Sequence, residues 1–147
     1  MITDATYAQL ADAAYQDTGA PAGWSRLPIP VPPNIAGYDG AAFRNNSTGE
    51  IVIASRGTEP LTFDGDWTSN LQMGANQLPD QYQYARQFLE EVKAAYQGAP
   101  ITLTGHSLGG ALTQLLAAET GLTATTFNAY GAKDLVPALN QRYGMAA

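Results

Sequence analysis

Residues 101–112 read Ile-Thr-Leu-Thr-Gly-His-Ser-Leu-Gly-Gly-Ala-Leu, and this stretch decides the fold. Residues 101–104 are β-branched or apolar, which predicts a strand. From Leu108 onward leucines recur at positions 108, 112, 115 and 116, the spacing of one helix face. Between strand and helix stands Gly-x-Ser-x-Gly, residues 105–109, whose glycines have no Cβ to collide in a sharp turn. The stretch therefore predicts a strand, a tight turn carrying Ser107, and a helix.

Ser107 is the predicted nucleophile of this chain. A strand-turn-helix of this kind pushes the serine hydroxyl out at the end of a sheet. The helix that follows directs its first N–H groups at an anion beside the serine. The alternative, a glycine-rich turn whose serine only caps the helix, stays open at this point.

Two candidate donors for an oxyanion accompany this serine. The backbone N–H of Leu108 comes directly after the nucleophile, at the start of the helix. A second donor should come from the loop that leaves an earlier strand. Thr58, in the stretch Ser-Arg-Gly-Thr at residues 55–58, offers both an N–H and a hydroxyl there.

Composition limits the other classes of function. The chain has 147 residues, 45% of them hydrophobic, which suits one domain spanning 1–147. A net charge of -6 argues against a nucleic-acid partner. With no cysteine and a single histidine, His106, we expect neither a metal site nor a cofactor. We see no signal peptide and no membrane-spanning run, so the location stays open between the cytoplasm and export by another route.

The order of the predicted elements indicates an α/β fold. We predict an N-terminal helix capped by Thr3 or Asp4, with an apolar face of Tyr7, Leu10, Ala11, Ala14 and Tyr15. A proline-rich connector over 24–33, a hairpin of strands 37–44 and 50–55, and a long loop over 56–74 follow. A helical stripe over 82–96, a strand over 122–127 and a terminal helix over 132–143 complete the series. Together they predict a three-layer sandwich with a mostly parallel sheet and an N-terminal antiparallel hairpin.

Four blocks of sequence carry a resemblance to a known family. They are Ala-Ser-Arg-Gly-Thr at 54–58, Asp-Trp-Thr-Ser-Asn-Leu at 66–71, Gly-His-Ser-Leu-Gly-Gly-Ala-Leu at 105–112 and Thr-Phe-Asn-Ala at 126–129. In this order the chain resembles class 3 lipases, α/β-hydrolases related to the fungal triacylglycerol lipases, from about Tyr7 to Ala129. The resemblance implies an α/β-hydrolase-like fold and a carboxylic-ester or lipid substrate. It also implies that Ser107 is the nucleophile and that Thr58 and Leu108 form the oxyanion hole.

The family pattern then breaks, because its Asp and His follow the serine on later loops. Residues 108–147 contain no histidine, so we expect a partial domain that stops before the acid and the base. His106 and Lys133 are alternative bases, but neighbouring side chains diverge at the turn and nothing directs Lys133 towards it. Asp134 follows the last strand, where some α/β-hydrolases keep their acid, although an ordinary helix-start residue explains it better.

Three further features have a functional and a structural interpretation. Asp64 and Asp66 are too few for a Ca²⁺ site, and an ion pair between Asp66 and Arg56 is the simpler expectation. Tyr82 and Tyr84 either line an acyl groove or face the core and the surface of one helix. The apolar residues of segment 24–33 either form a substrate wall or belong to a packed loop.

Two hypotheses follow from the sequence. The first is a carboxylic-ester hydrolase of the lipase or esterase type, and the second is a non-catalytic module that keeps the fold and works by binding. Because the strand at 122–127 would leave an open edge without a proline or a charge, we also expect a homodimer through that edge.

Overall fold

A computed structural model shows one mixed five-stranded sheet with helices on both faces. It describes residues 2–16, 18–33, 37–56, 67–106 and 108–127, with the backbone alone for 67–79. In that part of the chain the helices are α1 (Asp4–Ala13), α2 (Trp67–Ala95) and α3 (Leu108–Thr120). The strands are β1 (Trp24–Arg26), β2 (Asp39–Asn45), β3 (Ile51–Arg56), β4 (Ile101–His106) and β5 (Ala124–Phe127). Their order in the sheet is the order along the chain.

Local sequence explains how α1 begins and how β2 and β3 are connected. The Thr3 hydroxyl accepts a hydrogen bond from the N–H of Thr6 at 3.2 Å, which confirms the predicted cap of α1. The turn between β2 and β3 ends at Gly49, whose φ of 79° suits a residue without a Cβ. The side-chain oxygen of Asn45 accepts the N–H of Ser47 at 2.8 Å inside this turn. The predicted hairpin is therefore confirmed.

The sheet changes from antiparallel to parallel at β3. β2 pairs antiparallel with both β1 and β3, whereas β3 with β4 and β4 with β5 are parallel pairs. The carboxyl ends of β3, β4 and β5 therefore lie at one edge of the sheet. In open α/β sheets this is the edge at which ligands bind.

Side chains alternate between two hydrophobic layers, which accounts for the three-layer arrangement. Buried residues on one sheet face pack against α2 and α3; they include Ala42, Ile51, Ile53 and Leu103. Buried residues on the other face pack against α1; they include Ala41, Phe43, Val52 and Ala54. Because successive residues of a strand point to opposite faces, the apolar run at 51–54 supplies both layers. The predicted strand covered on both faces is confirmed.

The structure corrects three of the predicted boundaries. The connector over 24–33 contains a short edge strand, β1, because residues 24–26 find partners on β2. Helix α2 begins at Trp67, so the predicted loop over 56–74 is too long at its C-terminal end. Glycine and a single proline lower helix propensity without forbidding helix, and the apolar stripe after Asp80 anchors this one in the core. Tyr15 lies beyond the end of α1, outside its apolar face, and is 38% exposed.

The described side chains also decide between the alternative interpretations of the aromatic residues. Tyr82 is fully buried, and its hydroxyl donates to the Glu119 carboxylate and to the Leu115 carbonyl oxygen. Arg86 pairs with the same carboxylate at 2.8 Å, which ties α2 to α3. Tyr84 is half-buried against the same core. The apolar residues of segment 24–33 also pack on the hydrophobic layers, so this segment is a packed loop.

Several predictions concern parts of the chain that the structure does not describe. They concern the roles of Thr58 and Ser107, the carboxylates of Asp64 and Asp66, the ion pair between Asp66 and Arg56, and the terminal helix with Lys133 and Asp134. β5 is the last strand of the described sheet, with β4 as its neighbour. Self-association through its other edge stays a prediction. In the described part of the chain, no helix combines the length and the apolar character needed to cross a bilayer.

Candidate active site

The turn between β4 and α3 is built on a close approach of two glycines. A Cβ added to Gly105 would lie 2.6 Å from the carbonyl carbon of Gly109 and 2.7 Å from the Thr113 hydroxyl oxygen. It would be closer still to the Gly109 carbonyl oxygen. Real Cβ atoms do not tolerate such contacts, so glycine is required at position 105. The predicted sharp strand-to-helix turn is confirmed on both sides of residue 107.

Gly109 performs a second task by bringing α3 against β3. A Cβ on Gly109 would meet the Ser55 carbonyl group, with its carbon at 2.8 Å, and the Arg56 Cα at 3.0 Å. Both of these are backbone atoms, which cannot rotate away. The first turn of α3 therefore rests directly on the end of the neighbouring strand. This contact fixes the start of α3 relative to the end of β3.

Buried polar contacts keep the start of α3 in place. The Thr113 hydroxyl donates to the Thr104 carbonyl oxygen at 2.8 Å, and both residues are fully buried. The Leu108 side chain is also fully buried, as the first residue of α3. By helix geometry, the N–H groups of the first turn have no partner within the helix. The Leu108 N–H therefore has no partner within α3, as an oxyanion donor at this position would require.

Strand register brings the ends of β3 and β4 side by side. Ser55 is aligned with Gly105, and Gly105 in turn with Thr126 of β5. Neighbouring strands lie about 4.8 Å apart. The last residues of the two strands, Arg56 and His106, therefore lie side by side at one edge of the sheet. The predicted oxyanion donors Thr58 and Leu108 each follow one of these strand ends in the sequence.

Tyr15 contacts the residue immediately before Ser107. Its hydroxyl donates to the His106 carbonyl oxygen at 3.2 Å. Its ring meets the His106 ring edge to face, with centroids 6.2 Å apart and planes at 78°. This contact is not predictable from the sequence, because the two residues are 91 positions apart. Composition and periodicity contain no signal for it.

Arg56, the last residue of β3, extends this arrangement. Its guanidinium carbon lies 4.8 Å from the centre of the Tyr15 ring, a cation–π contact. A guanidinium nitrogen is 3.8 Å from a carboxylate oxygen of Asp39, the first residue of β2. Both side chains of this ion pair are well exposed, so it contributes little to stability. The stacking on Tyr15 and the ion pair both orient Arg56 at the edge of the sheet.

A buried tyrosine supports the same end of β3 from the other side of the sheet. The Tyr38 and Ser55 hydroxyl oxygens are 3.0 Å apart, and both groups are buried. Burial raises the pKa of the Tyr38 hydroxyl above its ordinary value, although the hydrogen bond with Ser55 opposes the shift. Tyr38 is therefore neutral at physiological pH and acts as a structural hydrogen-bonding group.

A model for the Tle-like phospholipase domain, a phospholipase-like family, matches residues 6–146. The chain belongs to this family. The match includes the β4 turn and the segments on both sides of it. It agrees with the class 3 lipase resemblance that the motifs carry, because both are families of lipolytic hydrolases.

Named relatives of this chain agree with the family. It is 34% identical to extracellular phospholipase A1 of Serratia liquefaciens over 99 residues, which are 67% of this chain and 29% of that protein. The structure of nonglycosylated LIP2 lipase from Yarrowia lipolytica matches with a TM-score of 0.59 and 19% identity, covering 97% of this chain and 64% of that one. The native Rhizomucor miehei lipase propeptide complex matches with a TM-score of 0.58 and 16% identity, covering 92% and 57%.

These structural matches confirm the predicted α/β-hydrolase-like fold. At such low identity they bear on the fold alone. The chain spans less than two thirds of the length of each of these three proteins. Among the residues that the structure describes, no three acidic or histidine side chains are grouped closely enough to hold a metal ion.

The two glycine contacts lead to a prediction about stability. Replacing Gly109 with alanine should destabilise the protein by about 3 kcal/mol, because the backbone of β3 or α3 must move to admit a Cβ. Gly121→Ala is the matched control: φ there is 78°, but nothing lies within 4 Å of the added Cβ. It should cost about 1 kcal/mol from backbone strain alone. Urea unfolding of both variants measures the difference, and equal losses would contradict the packing argument.

Proposed function

We propose that this chain is the nucleophile-bearing part of a carboxylic-ester hydrolase that acts on lipids. Ser107 is the nucleophile, and Leu108 and Thr58 supply the oxyanion hole. The observation that carries the proposal is the double glycine contact, in which Gly105 and Gly109 close a sharp turn between β4 and α3. A serine that only caps a helix does not require a residue without a Cβ on both sides of it.

The reaction follows from the parts at this edge of the sheet. The Ser107 Oγ attacks the ester carbonyl carbon while its proton passes to a general base. The carbonyl oxygen becomes an oxyanion and accepts hydrogen bonds from the Leu108 N–H and from Thr58. Collapse of this intermediate expels the alcohol, which takes up the proton, and leaves an acyl-serine. Water then attacks the acyl-serine, releases the carboxylic acid and restores the serine.

The substrate class rests on the family and on one relative. The matching family is described as phospholipase-like, and the Serratia relative is named as an extracellular phospholipase A1. We therefore take the scissile bond to be an acyl ester of a phospholipid. The carbonyl carbon of such an ester is the electrophile that a serine with an oxyanion hole can attack.

The general base is the reason to retain a second candidate function. His106 is the single histidine of the sequence, and its ring is held against Tyr15. This arrangement suits a packing residue better than a base that must reach the neighbouring hydroxyl. If no other group acts as the base, the chain would be a binding module that retains the hydrolase fold and a lipid site.

Two measurements on the chain of 147 residues separate these candidates. Hydrolysis of p-nitrophenyl esters should be slow yet exceed the uncatalysed rate by about 10³ to 10⁴, as an oxyanion hole without a complete triad allows. A fluorophosphonate should form an adduct at Ser107, identified by peptide mass spectrometry. Fast hydrolysis would show that the chain contains its own base. Lipid-vesicle binding with no adduct and no hydrolysis would favour the binding module.

A further inference from the structure

Tyr15 has an unusual position for a large aromatic residue. Among the residues whose side chains are described, Tyr15 is the one large hydrophobic residue that is exposed, at 38%, whereas Tyr7 of the preceding helix α1 is buried. Tyr15 follows the C-terminal end of α1 and reaches across to the end of β4. It therefore contacts the residue that precedes the proposed nucleophile in the sequence, but the proposed reaction gives it no role.

The hydrogen bond of Tyr15 acts on a particular peptide group. The His106 carbonyl oxygen, which accepts this bond at 3.2 Å, belongs to the peptide that also contains the N–H of Ser107. Because a peptide group is planar, anchoring its oxygen also restricts the direction from which the chain enters residue 107. The edge-to-face contact of the Tyr15 and His106 rings restricts the same segment a second time.

Arg56 connects this anchor to the segment that carries Thr58. Its guanidinium stacks on the Tyr15 ring at 4.8 Å and pairs with Asp39. Its Cα lies beneath the first turn of α3, at the Gly109 contact. The side chain of Arg56 therefore contacts Tyr15, whose hydroxyl holds the peptide between residues 106 and 107, and Gly57 and Thr58 follow Arg56 in the sequence.

We propose that Tyr15 is a positioning residue for ester hydrolysis, which holds the peptide between residues 106 and 107 through the His106 carbonyl oxygen, while Arg56 holds the Tyr15 ring in place. This inference rests on the proposed function, since it assumes that Ser107 is the nucleophile. Its physical basis is the sensitivity of catalysis to placement: a displacement of about 1 Å at the reacting group can cost about 10²-fold in rate. One exposed hydrogen bond controls only part of such a displacement, so a smaller effect is expected.

The chain contains a matched control for this test. The hydroxyls of Tyr7 and Tyr15 both belong to the α1 region, and both form a hydrogen bond with β4. Tyr7 is paired with the Thr102 hydroxyl at 2.8 Å, near the opposite end of that strand. Tyr7→Phe and Tyr15→Phe therefore remove the same atom from the same layer. The first change lies at the N-terminal end of β4, and the second lies at its C-terminal end, next to position 107 in the sequence.

The experiment compares both variants with the unaltered protein by steady-state kinetics on p-nitrophenyl esters and by the rate of fluorophosphonate labelling at Ser107. Tyr15→Phe should lower kcat and the labelling rate by about three- to tenfold, the range expected for one lost hydrogen bond, and leave KM unchanged. Tyr7→Phe should leave kcat and the labelling rate unchanged, although it should lower Tm at least as much as Tyr15→Phe does. Arg56→Met should act in the same direction as Tyr15→Phe. The double variant should lose less than the product of the single losses, because both residues act on one peptide.

Each other outcome overturns a specific part of the inference. Equal labelling rates for Tyr15→Phe and the unaltered protein would show that Tyr15 does not position Ser107. A KM that rises with acyl-chain length at constant kcat would instead assign Tyr15 to substrate contact. Losses of Tyr15→Phe and Arg56→Met that multiply exactly would remove Arg56 from the connection. Absence of any adduct at Ser107 in the unaltered protein would overturn the proposed function, and this inference with it.

Discussion

Replacing Ser107 with alanine is expected to abolish the phosphonate adduct and to remove the serine-dependent part of ester hydrolysis. The substitution deletes the only oxygen that can form the acyl intermediate at this turn. In a serine hydrolase with complete machinery, loss of the nucleophile lowers kcat by about 10⁶. The oxyanion hole and the binding site remain, so a residual rate above that of water is expected. Mass spectrometry of the labelled peptide and the rate of p-nitrophenol release measure the two effects.

The control for Ser107→Ala is another serine whose hydroxyl forms a hydrogen bond. The Ser25 hydroxyl of β1 donates to the Asn46 side-chain oxygen at 2.6 Å. β1 is an edge strand that β2 and β3 separate from β4. Ser25→Ala should leave both the adduct and the hydrolysis rate unchanged. In a version of the protein that contains its general base, hydrolysis by Ser107→Ala as fast as by the unaltered protein would show that Ser107 has no part in the reaction. The proposal would then pass to the binding module.

Replacing Thr58 with valine is expected to lower kcat by about 10² to 10³ in a catalytically complete version of the protein. Valine keeps the shape of threonine and the backbone N–H but lacks the hydroxyl. Loss of one oxyanion donor has an effect of this size in serine hydrolases. The physical reason is that the donor acts on charge that develops only in the transition state, so KM should change little. The stability cost should be small, since one hydroxyl is lost without a change in volume.

Thr58→Ser provides the matched control, because serine retains the hydroxyl and loses only a methyl group. It should stay within a few fold of the unaltered protein. An effect of Thr58→Val below about threefold would show that Thr58 contributes at most its N–H. Equal losses for the valine and serine variants would indicate a defect in loop packing. Steady-state kinetics on one soluble ester measures all three proteins.

Much of the fold was predictable because its signals are local. The leucine spacing of α3, the apolar run of β3 and the turn formers between β2 and β3 each depend on residues close in sequence. The turn around residue 107 was predictable for the same reason. Its two glycines are four positions apart, and the structure shows that neither position can accept a Cβ. The motif blocks then identified the family without any tertiary information.

Other features were not predictable from local patterns. β1 is a strand because β2 offers it partners, and the proline-rich sequence after Arg26 conceals this. The start of α2 at Trp67 lies where glycine and turn-forming residues favour a loop. For residues other than proline, helix propensities differ by no more than about 1 kcal/mol per residue, so packing elsewhere in the helix can outweigh them.

The sequence by itself therefore determined most of the described elements, the turn around residue 107 and the family, since these follow from spacing and residue type. The tertiary structure alone decided what surrounds the turn: the Gly109 contact with β3, the hydrogen bond from Tyr15 to the His106 carbonyl, and the stacking of Arg56 on Tyr15. These contacts join residues that are distant in the chain. They exist because the parallel register places the ends of β3 and β4 at one edge and because α1 packs across the sheet towards that edge.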